Sequence, residues 1–292
     1  MIKKYFEGDH INDIYLQLIE SISTEPEYIV KPRGFEIKEN INVTVLLKNP
    51  KNSLLTLTER KMNYAFAIIE KMEYASGETQ PDRLGFYNKN FASFKNKFGY
   101  FDGSYPERLN YWFRHIYETL KADPDSRQAV MTIYGIQDRH ESKDIPCTSV
   151  LQFFLRDNKL HLAVYMRSND LLWGVPYDTN GFCFLLEIMA AMLNVGVGTY
   201  TLHAGSMHIY TEREEQLTKL LNNPSVDTIQ NPAVEPAGFD EMKNNFKLFW
   251  LFEDSLRNKS EPATALYSMM PAWLREYADI IREYNAKKER NG

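Results

Sequence analysis

Apolar residues recur every three or four positions through HINDIYLQLIESIS, residues 10–23, which predicts an amphipathic helix with one buried stripe. INVTVLLK (41–48) is β-branched and apolar almost throughout, the pattern of a buried strand. Helical spacing returns in TERKMNYAFAIIEKMEYAS (58–76), and Gly77 supplies a stop. Residues 80–105 mix Gly, Asn, Phe and Tyr without a period, so a loop-rich segment is expected there. PERLNYWFRHIYETLKA (106–122) predicts a helix with proline in its first turn, where a missing N–H is tolerated.

The middle of the chain is β-like. RQAVMTIY (127–134), SVLQFFLRD (149–157), KLHLAVYMR (159–167) and GTYTLHAG (198–205) are predicted strands, with Asp157 and Asn158 turning a hairpin. Residues 179–194 predict an apolar helix buried on most sides. Further helices are expected over 211–221, about 240–257, and PAWLREYADIIREYNAKKER. Strands and helices do not alternate regularly, which points to α+β rather than a doubly wound sheet. No Pro/Ser-rich linker divides residues 1–292, so one catalytic-size domain with an extended C-terminal helical segment is expected.

The net charge of −5 gives no general pull toward nucleic acid or an anionic membrane, and an anionic substrate would need local arginines. Two cysteines, Cys147 and Cys183, are too few for a disulfide framework, and no Cys/His spacing suggests a metal. MIKKYFEGDH lacks a signal-peptide core. The longest apolar stretch, GFCFLLEIMAAMLNVGVG, is broken by Glu187 and is short for a membrane span. A reduced cytoplasmic setting is the expectation, the host's cytoplasm if the gene is a phage's.

Several short stretches carry candidate chemistry. Cys147 in DIPCTSV sits at a loop–strand junction behind Pro146, either as an inert core thiol or as a nucleophile. A nucleophile needs positive charge nearby, and Arg127 and Arg167 are the candidate sources. Cys183, inside the apolar helix, reads as core. YMRSND ends a strand with Arg167, Ser168, Asn169 and Asp170, either an anion-binding set or a strand-end salt bridge with an Asx turn. PDSRQ places Arg127 on a turn, where plain surface pairing is the simpler reading. His208 and Tyr210, two apart on a strand-like segment, share a face and can hold a sugar hydroxyl or form a core pair. Glu70 lies on the apolar side of its helix and, if buried, needs a partner. Asp178, in GVPYDTNGF, caps the following helix or faces a ligand.

The order of these pieces is more specific than any one of them. EKMEYASGET, PDSRQ, PCTSVLQFFL, MRSNDLLWGVPYD and GSMHIY follow one another over roughly residues 60–215, and together they resemble the thymidylate synthase superfamily. Arg33 in KPRGFEI resembles that family's N-terminal phosphate-binding arginine. Four positions depart from the pattern. Thr148 replaces the histidine after the nucleophile, Gln128 the second arginine, Glu73 an aromatic residue, and Asp178 the asparagine that reads the pyrimidine. The Cys147-Thr148 pair, MRSND and Asp178 together resemble the deoxycytidylate hydroxymethylase branch.

The resemblance implies a large mixed sheet covered by helices, with one sheet face at a homodimer interface. It implies a pyrimidine nucleoside monophosphate substrate and 5,10-methylenetetrahydrofolate as co-substrate, without metal. Cys147, Glu70 and Asp178 would be catalytic. Arg33, Arg127 (from a partner subunit), Arg167, Ser168, His208 and Tyr210 would bind the nucleotide, and Asp170 and Gly174 the folate. Facing cytosine, one oxygen of Asp178 is expected to accept from the 4-amino group while the other shares a proton with N3 and so activates C6; ionised, it would repel O4 of uracil. The reaction implied is C5 hydroxymethylation of dCMP. CMP as substrate, thymidylate synthesis from dUMP, and a non-catalytic RNA-binding protein on the same fold are the alternatives. The retained Cys147, Glu70, Arg167 and His208 speak against the last.

Overall fold

The computed structural model describes residues 2–291, apart from 139–141, 143, 223 and 261–262. Among the described residues one mixed eight-stranded sheet forms the frame. Its strands are β1 (Tyr5–Gly8), β2 (Tyr28–Val30), β3 (Ile37–Leu47), β4 (Val130–Thr132), β5 (Thr148–Arg156), β6 (Lys159–Met166), β7 (Asn169–Asp170) and β8 (Gly196–Tyr210). The main path runs β1-β3-β8-β6-β5-β4, with β2 beside β3 and β7 beside β8. The β6–β8 and β1–β3 pairs are parallel, and the β3–β8 and β5–β6 pairs antiparallel. Asp157 and Asn158 both take positive φ (50° and 55°), which gives the β5–β6 hairpin the turn twist that right-handed strands require.

Alternation along the central strands divides the sheet. Leu160, Leu162, Val164 and Met166 of β6 and Tyr200, Leu202 and Ala204 of β8 are buried. Tyr165 and His203, on the opposite parity, are exposed, so one face of the sheet is covered by helices and the other is open in the single chain. The covering helices include α1 (Ile11–Thr24), α2 (Tyr64–Ser76), α4 (Pro106–Ala122) and α5 (Gly174–Leu193). The short α3 (Pro81–Tyr87) and α6 (Glu214–Thr218) lie at the rim, and α7 (Phe239–Arg257), α8 (Ala263–Met269) and α9 (Ala272–Asn291) complete the chain. No described helix is long and apolar enough to cross a membrane.

Several predicted boundaries move, each for a local reason. The helix expected from residue 58 starts at Tyr64, because Lys61 turns left-handed (φ 52°) and the Asn63 side chain caps the backbone N–H of Phe66. It ends at Gly77 as expected. There φ is 74° and an added Cβ would sit 2.2 Å from Asn110, so no other residue fits. The segment 80–105 is not only loop, since Pro81 starts α3. The strand expected over 127–134 contracts to three residues, and that expected over 198–205 extends to Tyr210. The segment 211–221 breaks into short helical turns.

α5 starts five residues earlier than predicted, at Gly174. Asp178 therefore lies inside the helix and does not cap it. That task falls to Asp170, whose carboxylate accepts from the backbone N–H groups of Leu172, Trp173 and Gly174 at 2.7–3.0 Å. Within the apolar body of α5, Glu187 faces the buried Lys71 of α2. Lys71 also donates to Asn231 (2.8 Å) and to the Tyr277 hydroxyl (3.0 Å), which ties α9 to α2.

Candidate active site

The helix α2, the start of α5 and the loop entering β5 surround a cleft of about 820 Å³. Cys147, Glu70, Asp178, Asp170, Gly174 and Tyr210 all line it, although they come from four separate parts of the chain. Cys147 is presented by the loop before β5. The Arg167 backbone N–H donates to its carbonyl at 2.8 Å. The Arg167 guanidinium donates to the Ile145 and Pro146 carbonyls, each at 2.9 Å. Arg167 is therefore both a charge beside the thiol and the clamp on its loop.

The charges around Cys147 differ from the expected set. Burial pushes its thiol up to about 11, and the carboxyls of Asp178 and Asp170 add to the rise. Arg167 and Arg33 oppose it; Arg127 does not act on the thiol. Arg127 is exposed before β4 and lies outside this chain's cleft, as do Arg167, Ser168, His208 and Arg33 by direct lining. Arg33 takes a left-handed conformation (φ 54°), and its charge reaches the Cys147 thiol and the Tyr210 hydroxyl. His208 is buried, with its ring edge-on to Tyr210 at 5.2 Å and its pKa lowered chiefly by burial.

Glu70, Glu73 and Asp178 are among the carboxyls that line the cleft. Burial pushes Glu70 up to about 8, with a contribution from the charge of Glu73. Burial also pushes Glu73 up to about 8, against the opposing charge of Arg83. Asp178 lies well above the usual carboxylate range, first from burial and then from Glu70 and Asp170. Burial and the neighbouring carboxyls thus favour the protonated form of Asp178, where the sequence reading weighed the ionised one.

Sequence reasoning missed Tyr105. Its hydroxyl accepts from the Thr148 backbone N–H at 3.1 Å, and it stacks on Phe182 at 6.3 Å. Tyr105 precedes the helix-starting Pro106, and nothing in that local pattern points to the thiol loop. Also missed were Trp173, half exposed and stacked on Tyr177 at 6.5 Å, and Arg213 at the cleft rim. Gly174 is required here by space: an added Cβ would sit 2.0 Å from the Asn169 side-chain oxygen.

A large mixed sheet thus brings a loop cysteine, clamped by Arg167, and several carboxyls to one cleft, an arrangement that suits an enzyme of covalent group transfer. The sequence model of the family described as thymidylate synthase matches residues 13–237, more than half of the chain. A deoxyuridylate hydroxymethyltransferase of Bacillus phage SP01 is 34% identical over 262 residues, 81% of this chain and 67% of that relative. The chain belongs to the thymidylate synthase family. It is an enzyme of one-carbon transfer to a pyrimidine nucleotide, and the family's co-substrate is 5,10-methylenetetrahydrofolate. The helices α7–α9 lie beyond the matched residues.

Proposed function

We propose that the protein hydroxymethylates C5 of a cytosine nucleotide, dCMP, giving 5-hydroxymethyl-dCMP. The observation that carries this reading is Asp178, a carboxyl lining the same cleft as Cys147 where the family pattern has an amide, with burial and neighbouring carboxyls raising its pKa. Cytosine becomes electrophilic at C6 when N3 gains a proton. A carboxylic acid can give that proton while its second oxygen accepts from the 4-amino group; an amide cannot. The phage relative's name supports hydroxymethylation over methylation.

Arg167 and Ser168, with Arg33 and a partner subunit's copy of Arg127, bind the 5′-phosphate in this reading, and His208 and Tyr210 hold the sugar. The open sheet face, which exposes Tyr165 and His203, is where a second copy packs. The Cys147 sulfur adds to C6 and the electron pair of the C5–C6 double bond moves toward C4 and N3, where Asp178 holds the proton. When bound, 5,10-methylenetetrahydrofolate supplies one carbon at the oxidation level of formaldehyde. The cleft fits such a flat group: Trp173, Phe91 and Phe94 offer aromatic walls, and the Asp170–Gly174 turn lies beside them. Glu70 then takes up the proton of the water that completes the product.

One observation favours a second substrate. A protonated Asp178 presents one donor and one acceptor, which also match O4 and N3–H of uracil, and the phage relative is named for deoxyuridylate. Turnover of dCMP, CMP and dUMP side by side with carbon-labelled co-substrate separates the readings. Hydroxymethyl product mainly from dCMP is expected. Hydroxymethyl product from dUMP alone transfers the reading to uracil, and methyl product from dUMP makes the protein a thymidylate synthase.

A further inference from the structure

Glu73 and Glu70 are three residues apart on α2, hence neighbours on one helix face, and both line the cleft with Cys147. Behind Glu73 lies Arg83, whose side chain is fully buried. Its Nε donates to Glu253 at 3.2 Å, and its guanidinium lies 3.9 Å over the Trp250 ring. Glu253 is held in turn by the Arg257 Nε (2.9 Å) and the Tyr87 hydroxyl (3.0 Å). The α3–α7 contact therefore fixes Arg83 behind Glu73, which itself lines the cleft.

The terminal nitrogens of Arg83 are not satisfied by this network. Nη1 lies 3.6 Å from the Glu73 carboxyl oxygen and Nη2 3.8 Å from that of Asp254, ion pairs too long for hydrogen bonds, and neither nitrogen makes a hydrogen bond among the described residues. Buried guanidinium donors are rarely left bare, and a polar gap of this kind is where proteins hold an ordered water. A single water within about 3 Å of Arg83 and Glu73 would accept from the guanidinium and donate to the carboxylate that lines the cleft.

We infer that Glu73 and Arg83 hold a water at the floor of the cleft, and that Glu73 is the positioning residue for the water that becomes the product hydroxyl. This rests on the hydroxymethylation reading above. At that stage the Cys147 sulfur is bonded to C6 and the transferred carbon is an exocyclic methylene on C5. The water oxygen bonds to that methylene carbon, and the pair of its double bond moves to C5. That pair re-forms C5=C6 as the S–C6 bond breaks, which returns the thiolate. The one proton lost from the water goes to a carboxylate of the Glu70–Glu73 pair. An aromatic side chain at residue 73, as the family pattern has it, would fill this position with an apolar ring. Glutamate makes it wet.

The test has two arms. A crystal structure of the unliganded wild-type protein is expected to show an ordered water bonded to both Arg83 and Glu73. In turnover, Glu73→Gln is expected to release tritium from C5 of the nucleotide, and to keep KM for it, within about threefold of wild type. Hydroxymethyl product should fall about 100-fold, with partial recovery in Glu73→Asp. Retained tritium release shows that the variant is folded and that Cys147 still adds. An absent water overturns the inference. So does Glu73→Gln making product at the wild-type rate, or losing tritium release and product together, which is the mark of a structural role. Methyl product from the wild type overturns the functional reading itself, and the role of the water with it, whatever the crystal shows.

Discussion

Arg167 donates its Nε–H to the Pro146 carbonyl at 2.9 Å, one residue before the Cys147 thiol. The same guanidinium is the largest influence lowering the thiol's pKa. Replacing it removes a charge and a clamp together. Arg167→Gln is predicted to cut kcat/KM about 100-fold or more and to slow alkylation of Cys147 by iodoacetamide at pH 8. Arg167→Lys keeps the charge but not the two-carbonyl fork, so it should recover only part of either. An alkylation rate equal to wild type in Arg167→Gln would disconnect the two residues.

Asp178→Asn keeps the shape of the side chain and one donor–acceptor pair, but removes the transferable proton. The predicted outcome is a loss of about 100-fold or more in kcat/KM with dCMP and a change of less than about tenfold with dUMP. Equal losses on both nucleotides would show that Asp178 does not protonate the ring.

The carboxyls on α2 link stability to pH. Glu70 and Glu73 titrate near 8 in the folded protein, against about 4.3 in an unfolded chain. Between those values the folded state binds more protons, so stability is full below about pH 4 and declines as pH rises toward 8. Between pH 5 and 8 the wild type should lose roughly 1–3 kcal/mol more than Glu70→Gln in urea denaturation. A parallel pH dependence in the two proteins would refute the burial argument.

Lys71 and Glu187 are buried opposite charges that favour each other's ionised form without direct contact, while burial lowers the lysine and raises the glutamate. Lys71→Ala leaves Glu187 without its partner and is predicted to cost about 3–5 kcal/mol. Lys71→Met combined with Glu187→Leu should restore most of that loss, because apolar side chains of similar volume refill the α2–α5 contact. Denaturation midpoints of the three variants measure it.

Local pattern was enough for α1, α4, α7 and the β5–β6 hairpin, because each depends on a periodic apolar stripe or a turn dipeptide contained within its own residues. The early start of α5 was not legible, because its cap is the Asp170 carboxylate reaching forward over Leu172, Trp173 and Gly174 rather than a residue of the expected type at residue 178. The late start of α2 depended on a left-handed Lys61, which no propensity announces.

The order of motifs along the chain by itself determined the family and the mixed α+β character, and it named Cys147, Glu70, Asp170, Gly174, Asp178 and Tyr210, which line one cleft, because motif letters are read directly from the sequence. Only the tertiary structure decided their charges. The Asp178 carboxyl and the Cys147 thiol are both pushed up because segments as far apart as Glu70 and Asp178 exclude water from the same space. Ionisation depends on distance and burial, and neither is a property of a residue's neighbours in sequence.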